Sequence, residues 1–311
     1  MLNGNNKNET IPIFFSADDN YMPYLDVAIA SLTDNASTEY NYRIVVLNTG
    51  ISPDNINKVK QNERRGFSID FIDISDAVKN IISRFKSVYH FSIVTYYRLF
   101  IASLFPEYDK VVYIDSDVVV LGDISELYNT DMGSNILAAV PDQNIVNVDA
   151  FKRYIENAIT VDYDKYINAG VLVMNLAEFR KRDIEKKLTE LIGSYDFDLV
   201  DPDQAYLNYL CKDSIFFLPN GWNKISGPCP CEGKKNIVHY ALYKKPWQYD
   251  DVIDGEYFWK YAKSSPFYGT ILQRKAAFGP EEKKAKEAAA VDIVEHADRI
   301  ASSDYTFAKI L

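Results

Sequence analysis

Asp115 and Asp117 stand at the end of the apolar run Val111-Val112-Tyr113-Ile114, in the order Asp115-Ser116-Asp117. In an extended chain, residues two apart project to the same side, so both carboxylates can face one ligand. Two like charges held this close raise each other's pKa unless a cation sits between them, and a divalent metal is the natural counter-charge. His239 is the second element, preceded by Ile237-Val238 and followed by Tyr240. An imidazole added to two carboxylates suits Mn²⁺ better than Mg²⁺ or Ca²⁺. Lys245-Pro246-Trp247 comes shortly after, and a lysine there would neutralise a diphosphate. The three cysteines, Cys211, Cys229 and Cys231, make no disulfide framework, and Cys229-Pro-Cys231 is not a CxxC pair. They fit a reducing interior.

These residues need a scaffold that brings them together. Apolar runs at 11–15, 43–47, 68–74 and 111–114 read as buried strands. Helical spacing marks 24–32 and 53–65, where Pro53 suits a first turn and Gly66 an end. This β-α-β-α-β order implies a parallel sheet with helices on its faces. Open sheets of that kind bind ligands at the carboxyl ends of their strands, where Asp115 and Asp117 lie. Further on, helices are expected over 92–104, 178–195 and 204–210, and strands over 118–121, 137–140, 171–176, 215–218 and 237–240. The stretch 280–300 reads as an exposed helix with one weak apolar stripe of Val291, Ile293 and Val294. Such a tail docks on its own domain, on a partner subunit or on a membrane surface, the first being the simplest.

Composition narrows the function. The 311 residues suffice for one large α/β domain with a small appendage. A net charge of −10, from 44 acidic and 34 basic residues, argues against broad nucleic-acid binding. No apolar run is long enough to span a bilayer, and the first ten residues carry no apolar signal stretch, so a cytoplasmic location is expected. The 23 tyrosines fit a sugar-binding protein, but compositional drift is the simpler account.

Asp-x-Asp-x-Val after an apolar strand also occurs in haloacid-dehalogenase-like phosphatases, with the first aspartate as nucleophile. That motif opens its domain, whereas three strand–helix units precede it here. A nucleotidyltransferase acting on sugar nucleotides would carry a glycine-rich phosphate loop after its first strand, and Ser16-Ala17-Asp18-Asp19-Asn20-Tyr21 has no glycine. A non-catalytic sugar-nucleotide binding protein is the third alternative.

From residue 11 to about 250 the chain resembles the retaining glycosyltransferases of family 8, which include lipopolysaccharide galactosyl- and glucosyltransferases and glycogenin. Six segments carry the resemblance, in order. They are Ser16-Ala17-Asp18-Asp19-Asn20-Tyr21, Thr95-Tyr96-Tyr97-Arg98-Leu99 and Tyr113-Ile114-Asp115-Ser116-Asp117. Then come Asn168-Ala169-Gly170-Val171-Leu172-Val173-Met174-Asn175, Asp203-Gln204-Ala205-Tyr206-Leu207-Asn208, and His239-Tyr240 through Lys245-Pro246-Trp247.

The resemblance implies a GT-A, Rossmann-like fold over 1–265, a helical C-terminal tail over 266–311, and a UDP-sugar donor. Asp18, Asn20 and Tyr21 would meet the uridine, with Tyr21 stacking on uracil. Asp115, Asp117 and His239 would hold Mn²⁺, or Mg²⁺, against the diphosphate, and Lys245 would bind a phosphate oxygen. Arg98, Asp142, Asn168, Asp203 and Gln204 would surround the donor sugar, and Ala17, Ser116 and Ala169 would join the donor contacts. His90 matches a position near the acceptor, a saccharide or glycolipid of cell-surface glycan synthesis. For membrane-bound acceptors the tail is the candidate peripheral contact.

Retention of configuration is implied, by double displacement or by same-face attack. Gln204 stands at the family's candidate nucleophile position, but an amide is a poor nucleophile, and Asp203 is the nearby carboxylate. Same-face attack, with the leaving phosphate taking the acceptor proton, is therefore preferred. At one position the chain departs from the family. The glycine usual three residues after the metal histidine is Leu242, which predicts a rerouted loop or a weaker diphosphate contact.

Overall fold

A computed structural model describes residues 9–82, 93–144 and 147–311. Its main sheet has seven strands: β1 (Thr10–Ser16), β2 (Asn41–Asn48), β3 (Phe67–Asp73), β4 (Lys110–Ile114), β6 (Leu137–Pro141), β7 (Ile167–Asn175) and β8 (Ile215–Phe217). Their spatial order is β3-β2-β1-β4-β7-β6-β8. All run parallel except β7, which is antiparallel to both β4 and β6. A second sheet, β5-β10-β9, is built from β5 (Val118–Val120), β9 (Lys224–Ile225) and β10 (Ile237–His239).

The central strands are apolar on both faces because both faces are covered. Phe14 of β1 and Val45 and Leu47 of β2 enter one core layer, with Tyr97, Leu99 and Phe179. Ile13, Phe15, Ile44 and Val46 point the other way, against Leu25, Ile29 and Trp222. The helix Met22–Asn35 supplies that second layer, with Pro23 in its first turn where a missing N–H costs nothing.

Several elements differ from expectation. The 178–195 helix is two helices, Leu176–Lys181 and Ile184–Ser194, divided at Asp183, whose φ is +54°. The 53–65 helix ends at Val59 and finishes as a 3₁₀ turn, Lys60–Asn62. Of 92–104, the described part is a 3₁₀ helix, Ile93–Phe100, followed by one α-turn, Ile101–Leu104. β7 starts at Ile167 rather than 171, since Asn168-Ala169-Gly170 is buried strand despite its polarity.

Beyond 250 lie three helices, Gly255–Ala262, Tyr268–Ala277 and Pro280–Ala301, and a short last one, Phe307–Ile310. The long helix docks on its own domain. Ile293, Ala297 and Ile300 are buried against the segment 149–159, and Arg153 pairs with Asp298 at 2.7 Å. Val291, expected in the stripe, is exposed instead. Among the described residues no helix is long and apolar enough to cross a membrane.

Candidate active site

The two sheets meet where β4 ends. The Asp115 N–H donates to the Gly170 carbonyl at 2.8 Å, continuing the β4–β7 pairing one residue past Ile114↔Val171. The chain then turns through Ser116, whose hydroxyl donates to the Ser16 carbonyl at 2.9 Å, and enters β5. β10 lies antiparallel to β5 with His239 opposite Val118, and the Tyr240 N–H donates to the Asp117 carbonyl at 2.9 Å. Register alone therefore delivers His239 to the aspartates. One ligand atom each from Asp115, Asp117 and His239 lies within 4.8 Å of the others. Nε2 of His239 is 3.2 Å from Asp117 Oδ1 and 3.9 Å from Asp115 Oδ2.

The donor set fits a divalent cation. Nδ1 of His239 meets Asn223 Oδ1 at 2.9 Å, and the Asn223 amide donates to Asn168 Oδ1 at 2.9 Å. With Oδ1 as acceptor, Nδ1 carries the proton and Nε2 turns its lone pair to the carboxylates. Gly170 leaves the room: a Cβ there would lie 2.3 Å from His239 Cε1 and 2.8 Å from Asp115 Oδ2.

Each aspartate also has a cation of its own. The Lys245 ammonium lies 2.5 Å from Asp117 Oδ2 and donates to the Tyr240 carbonyl. Burial alone would raise the Asp117 carboxyl, but the Lys245 ammonium holds it well below the usual carboxylate range. Arg98 reaches Asp115 Oδ1 at 2.9 Å, and Tyr113 donates to the same oxygen at 2.9 Å. The Arg98 guanidinium also contacts Asp203 at 3.3 Å, donates to the Thr95 and Ala169 carbonyls, and lies 4.4 Å from the Tyr113 ring centroid.

Behind this cluster the cleft continues into a polar end. Asn168 donates to Asp142 Oδ2 at 2.9 Å, and Gln204 Oε1 accepts the Ala169 N–H at 3.0 Å. Gln204 Nε2 donates to Asp201 at 3.0 Å and faces Asp142 at 3.4 Å. Asp201 further accepts the Tyr166 hydroxyl at 2.7 Å and the Tyr154 hydroxyl at 3.0 Å. Burial pushes the Asp201 carboxyl up to about 7 against those hydroxyls. Asp203 is raised too, by burial first, with Arg98 opposing.

The cleft holds about 1230 Å³ including its open mouth. It gathers Ala17, Asp18, Tyr21, Arg98, Asp115, Ser116, Asp117, Asp142, Asn168, Ala169, Asp203, Gln204, His239 and Lys245, nearly all the residues expected from the sequence. Asn20 is exposed and does not line it, and His90 lies outside the described residues. Leu242 lines the cleft and takes the left-handed conformation itself, with φ +65°, where a glycine would sit freely. Sequence reasoning missed Asn223, Asp201, Tyr154 and Tyr166. No local pattern marks Asn223, and Asp201 shows only as an acid two residues before the Asp203-Gln204 pair.

A mostly parallel sheet that ends in paired aspartates, completed by a histidine from a small second sheet, defines a GT-A type of sugar-transfer scaffold. The chain belongs to glycosyl transferase family 8, whose family model matches residues 12–251. It is 30% identical to general stress protein A of Bacillus subtilis over 263 residues, covering 78% of this chain and 88% of that one. It is 25% identical to lipopolysaccharide 1,2-glucosyltransferase of Escherichia coli K12, covering 78% of this chain and 74% of that one. Among solved structures it is similar to the galactosyltransferase LgtC in complex with donor and acceptor sugar analogues, with a TM-score of 0.69 and 29% identity over 89% of this chain and all of that one. The bifunctional glycosyltransferase WbbM gives a TM-score of 0.75 at 28% identity over 86% of this chain, which spans about half (52%) of the WbbM chain.

Proposed function

We propose that this protein is a retaining hexosyltransferase that moves galactose or glucose from a UDP-sugar to a hydroxyl of a saccharide or glycolipid acceptor, with Mn²⁺ held by Asp115, Asp117 and His239. The observation that carries this reading is the convergence of those three ligand atoms within 4.8 Å, at the mouth of a cleft with a lysine beside them. A bound divalent ion would stabilise the negative charge that develops on the departing diphosphate.

The protein's own residues supply the rest. Lys245, 5% exposed and already oriented at the cluster, adds a fixed cation that need not be reorganised as charge develops. Tyr21 sits at the rim, edge-on to Tyr24 with ring centroids 5.4 Å apart, and offers a face to a base. Asn168, Asp142 and Gln204 present an ordered set of acceptors and donors to hexose hydroxyls. Asp203, 3% exposed and facing Arg98, serves as the partner of that guanidinium rather than as a nucleophile. Both nitrogen hydrogens of Gln204 are directed at carboxylates, which favours an orienting role for the amide. Same-face attack follows, the acceptor proton passing to the leaving phosphate oxygen.

The test is a thermal-shift screen of UDP, UDP-galactose and UDP-glucose with and without Mn²⁺, followed by measurement of released UDP. A donor at a hundred times its Kd stabilises the fold by about 2.7 kcal/mol, a shift of several degrees. No shift with any of these ligands, and no UDP released with Mn²⁺ present, discards the reading.

A further inference from the structure

Two adjacent cations on the helix Tyr268–Ala277 grip two different loops of the cleft from outside. The Arg274 guanidinium donates to the Asn20 carbonyl, in the loop between β1 and the helix Met22–Asn35, and lies 5.9 Å from the Tyr24 ring centroid. The Lys275 ammonium donates to the Pro246 carbonyl at 3.0 Å and the Tyr249 carbonyl at 2.9 Å, and pairs with Asp250 at 2.8 Å. Three acceptors match the three hydrogens of an ammonium, so this lysine has no spare donor.

The turn that Lys275 holds begins at Lys245, whose carbonyl accepts the N–H groups of Gln248 and Tyr249. The same Lys245 reaches Asp117 with its side chain. The first turn of the helix that follows the first loop also packs on the second loop: the Tyr24 and Trp247 rings stack at 3.9 Å and 15°. Tyr21 meets Tyr24 edge-on. Neither Arg274 nor Lys275 lines the cleft. Each acts on backbone carbonyls of a loop whose other face does line it.

We propose that Arg274 and Lys275 are positioning residues of the donor site, preorganising loops 18–21 and 245–250 so that Tyr21 and Lys245 meet a nucleoside diphosphate already in place. Residues 266–280 thereby belong to the nucleotide site, not to a separable tail. The physical reason is entropic. A loop that must be ordered on binding weakens the complex by the free energy of ordering it, and a loop held beforehand does not. Carbonyl acceptors suit this purpose because no side-chain rotamer of the loop has to be fixed to make the bond.

The inference rests on the donor-site reading above, and the experiment separates the two. Titration calorimetry of UDP with Mn²⁺ is run on the full chain, the wild type beside Arg274→Gln and Lys275→Met, each keeping an unbranched aliphatic stem. The wild type binds UDP, and each variant binds it roughly tenfold more weakly, the size typical of outer-shell partners. Lys275→Arg, which keeps the donors, recovers most of the affinity. In turnover the KM for the donor rises more than kcat falls. A purely structural role predicts the opposite pattern, a lower Tm with unchanged UDP affinity in the folded fraction, and that result overturns the inference. If either variant fails to fold, Asp250→Lys sets a like charge against the Lys275 ammonium from an exposed position without touching the helix, and unchanged UDP affinity there overturns it equally. A wild type that binds neither UDP nor a UDP-sugar overturns the donor-site reading, and the inference with it.

Discussion

Asp117 and Asp201 line one cleft, both largely buried, and their carboxyls are shifted in opposite directions. Burial penalises both carboxylates at the outset. Asp117 is answered by a full positive charge, the Lys245 ammonium at 2.5 Å, which holds its carboxyl well below the usual carboxylate range. Asp201 is answered by two tyrosine hydroxyls and an amide, with Asp203 and Asp142 repelling it, and is pushed up to about 7. The contrast shows that the charge on the partner, more than burial, decides what such a carboxylate is for. The ionised side suits a cation and a diphosphate. The side held by neutral hydroxyl and amide donors suits the hydroxyls of a sugar.

The strongest way to break this contrast is to remove the charge at Asp117. Asp117→Asn is expected to cost metal-dependent transfer on the order of a hundredfold or more, with the circular dichroism of the fold unchanged. Full turnover by this variant in chelator-treated buffer contradicts the assignment. Gly170→Ala attacks the same cluster without altering a charge. Its Cβ would meet His239 Cε1 at 2.3 Å, so the ring must move. Mn²⁺ affinity, read by calorimetry, should fall about tenfold, as when a ligand's support is lost. An unshifted titration would exonerate the ring position.

For Asp201 the prediction concerns pH. An unfolded aspartate titrates near 3.9. Asp201 does so at about 7 in the folded protein, so the folded state holds the proton more tightly. Its contribution to stability is greatest below about pH 4 and is lost as pH rises through 7, by on the order of a few kcal/mol. Asp201→Asn cannot ionise, so the Tm of the wild type minus that of the variant should fall between pH 5 and pH 8. A flat difference across that range means that Asp201 is ionised in the fold.

The smallest effect belongs to the rim. Leu242 has φ +65°, in a region that costs an L-residue roughly 1–2 kcal/mol. Leu242→Val, β-branched, should destabilise the protein by about 1 kcal/mol, while Leu242→Gly should stay within about 0.5 kcal/mol of the wild type in urea denaturation. A valine variant as stable as the wild type would show the loop relaxing to another path.

Much of the scaffold was legible because burial on both faces writes itself as continuous apolar runs. β1 to β4 stand within about two residues of those runs. Where the core is polar the pattern fails. The start of β7 was invisible because Asn168-Ala169-Gly170 is buried by virtue of partners from elsewhere, Gln204 on the Ala169 N–H and Asn223 on Asn168. The split at Asp183 was hidden for a related reason: helical spacing on either side is in order, and only the backbone turn at one residue interrupts it.

The site divides in the same way. Asp115 and Asp117 could be paired from the chain alone, since alternation along an extended strand is a local property. The closeness of His239, the tautomer set by Asn223, the opposed shifts of Asp117 and Asp201, and the grip of Arg274 and Lys275 on two distant loops came only with the fold. Each depends on strand register or on helix docking between segments far apart in sequence. Residue order determines which groups are available and which neighbours share a face. Charge state and preorganisation depend on distance and solvent exclusion, and these exist only once the sheets have met.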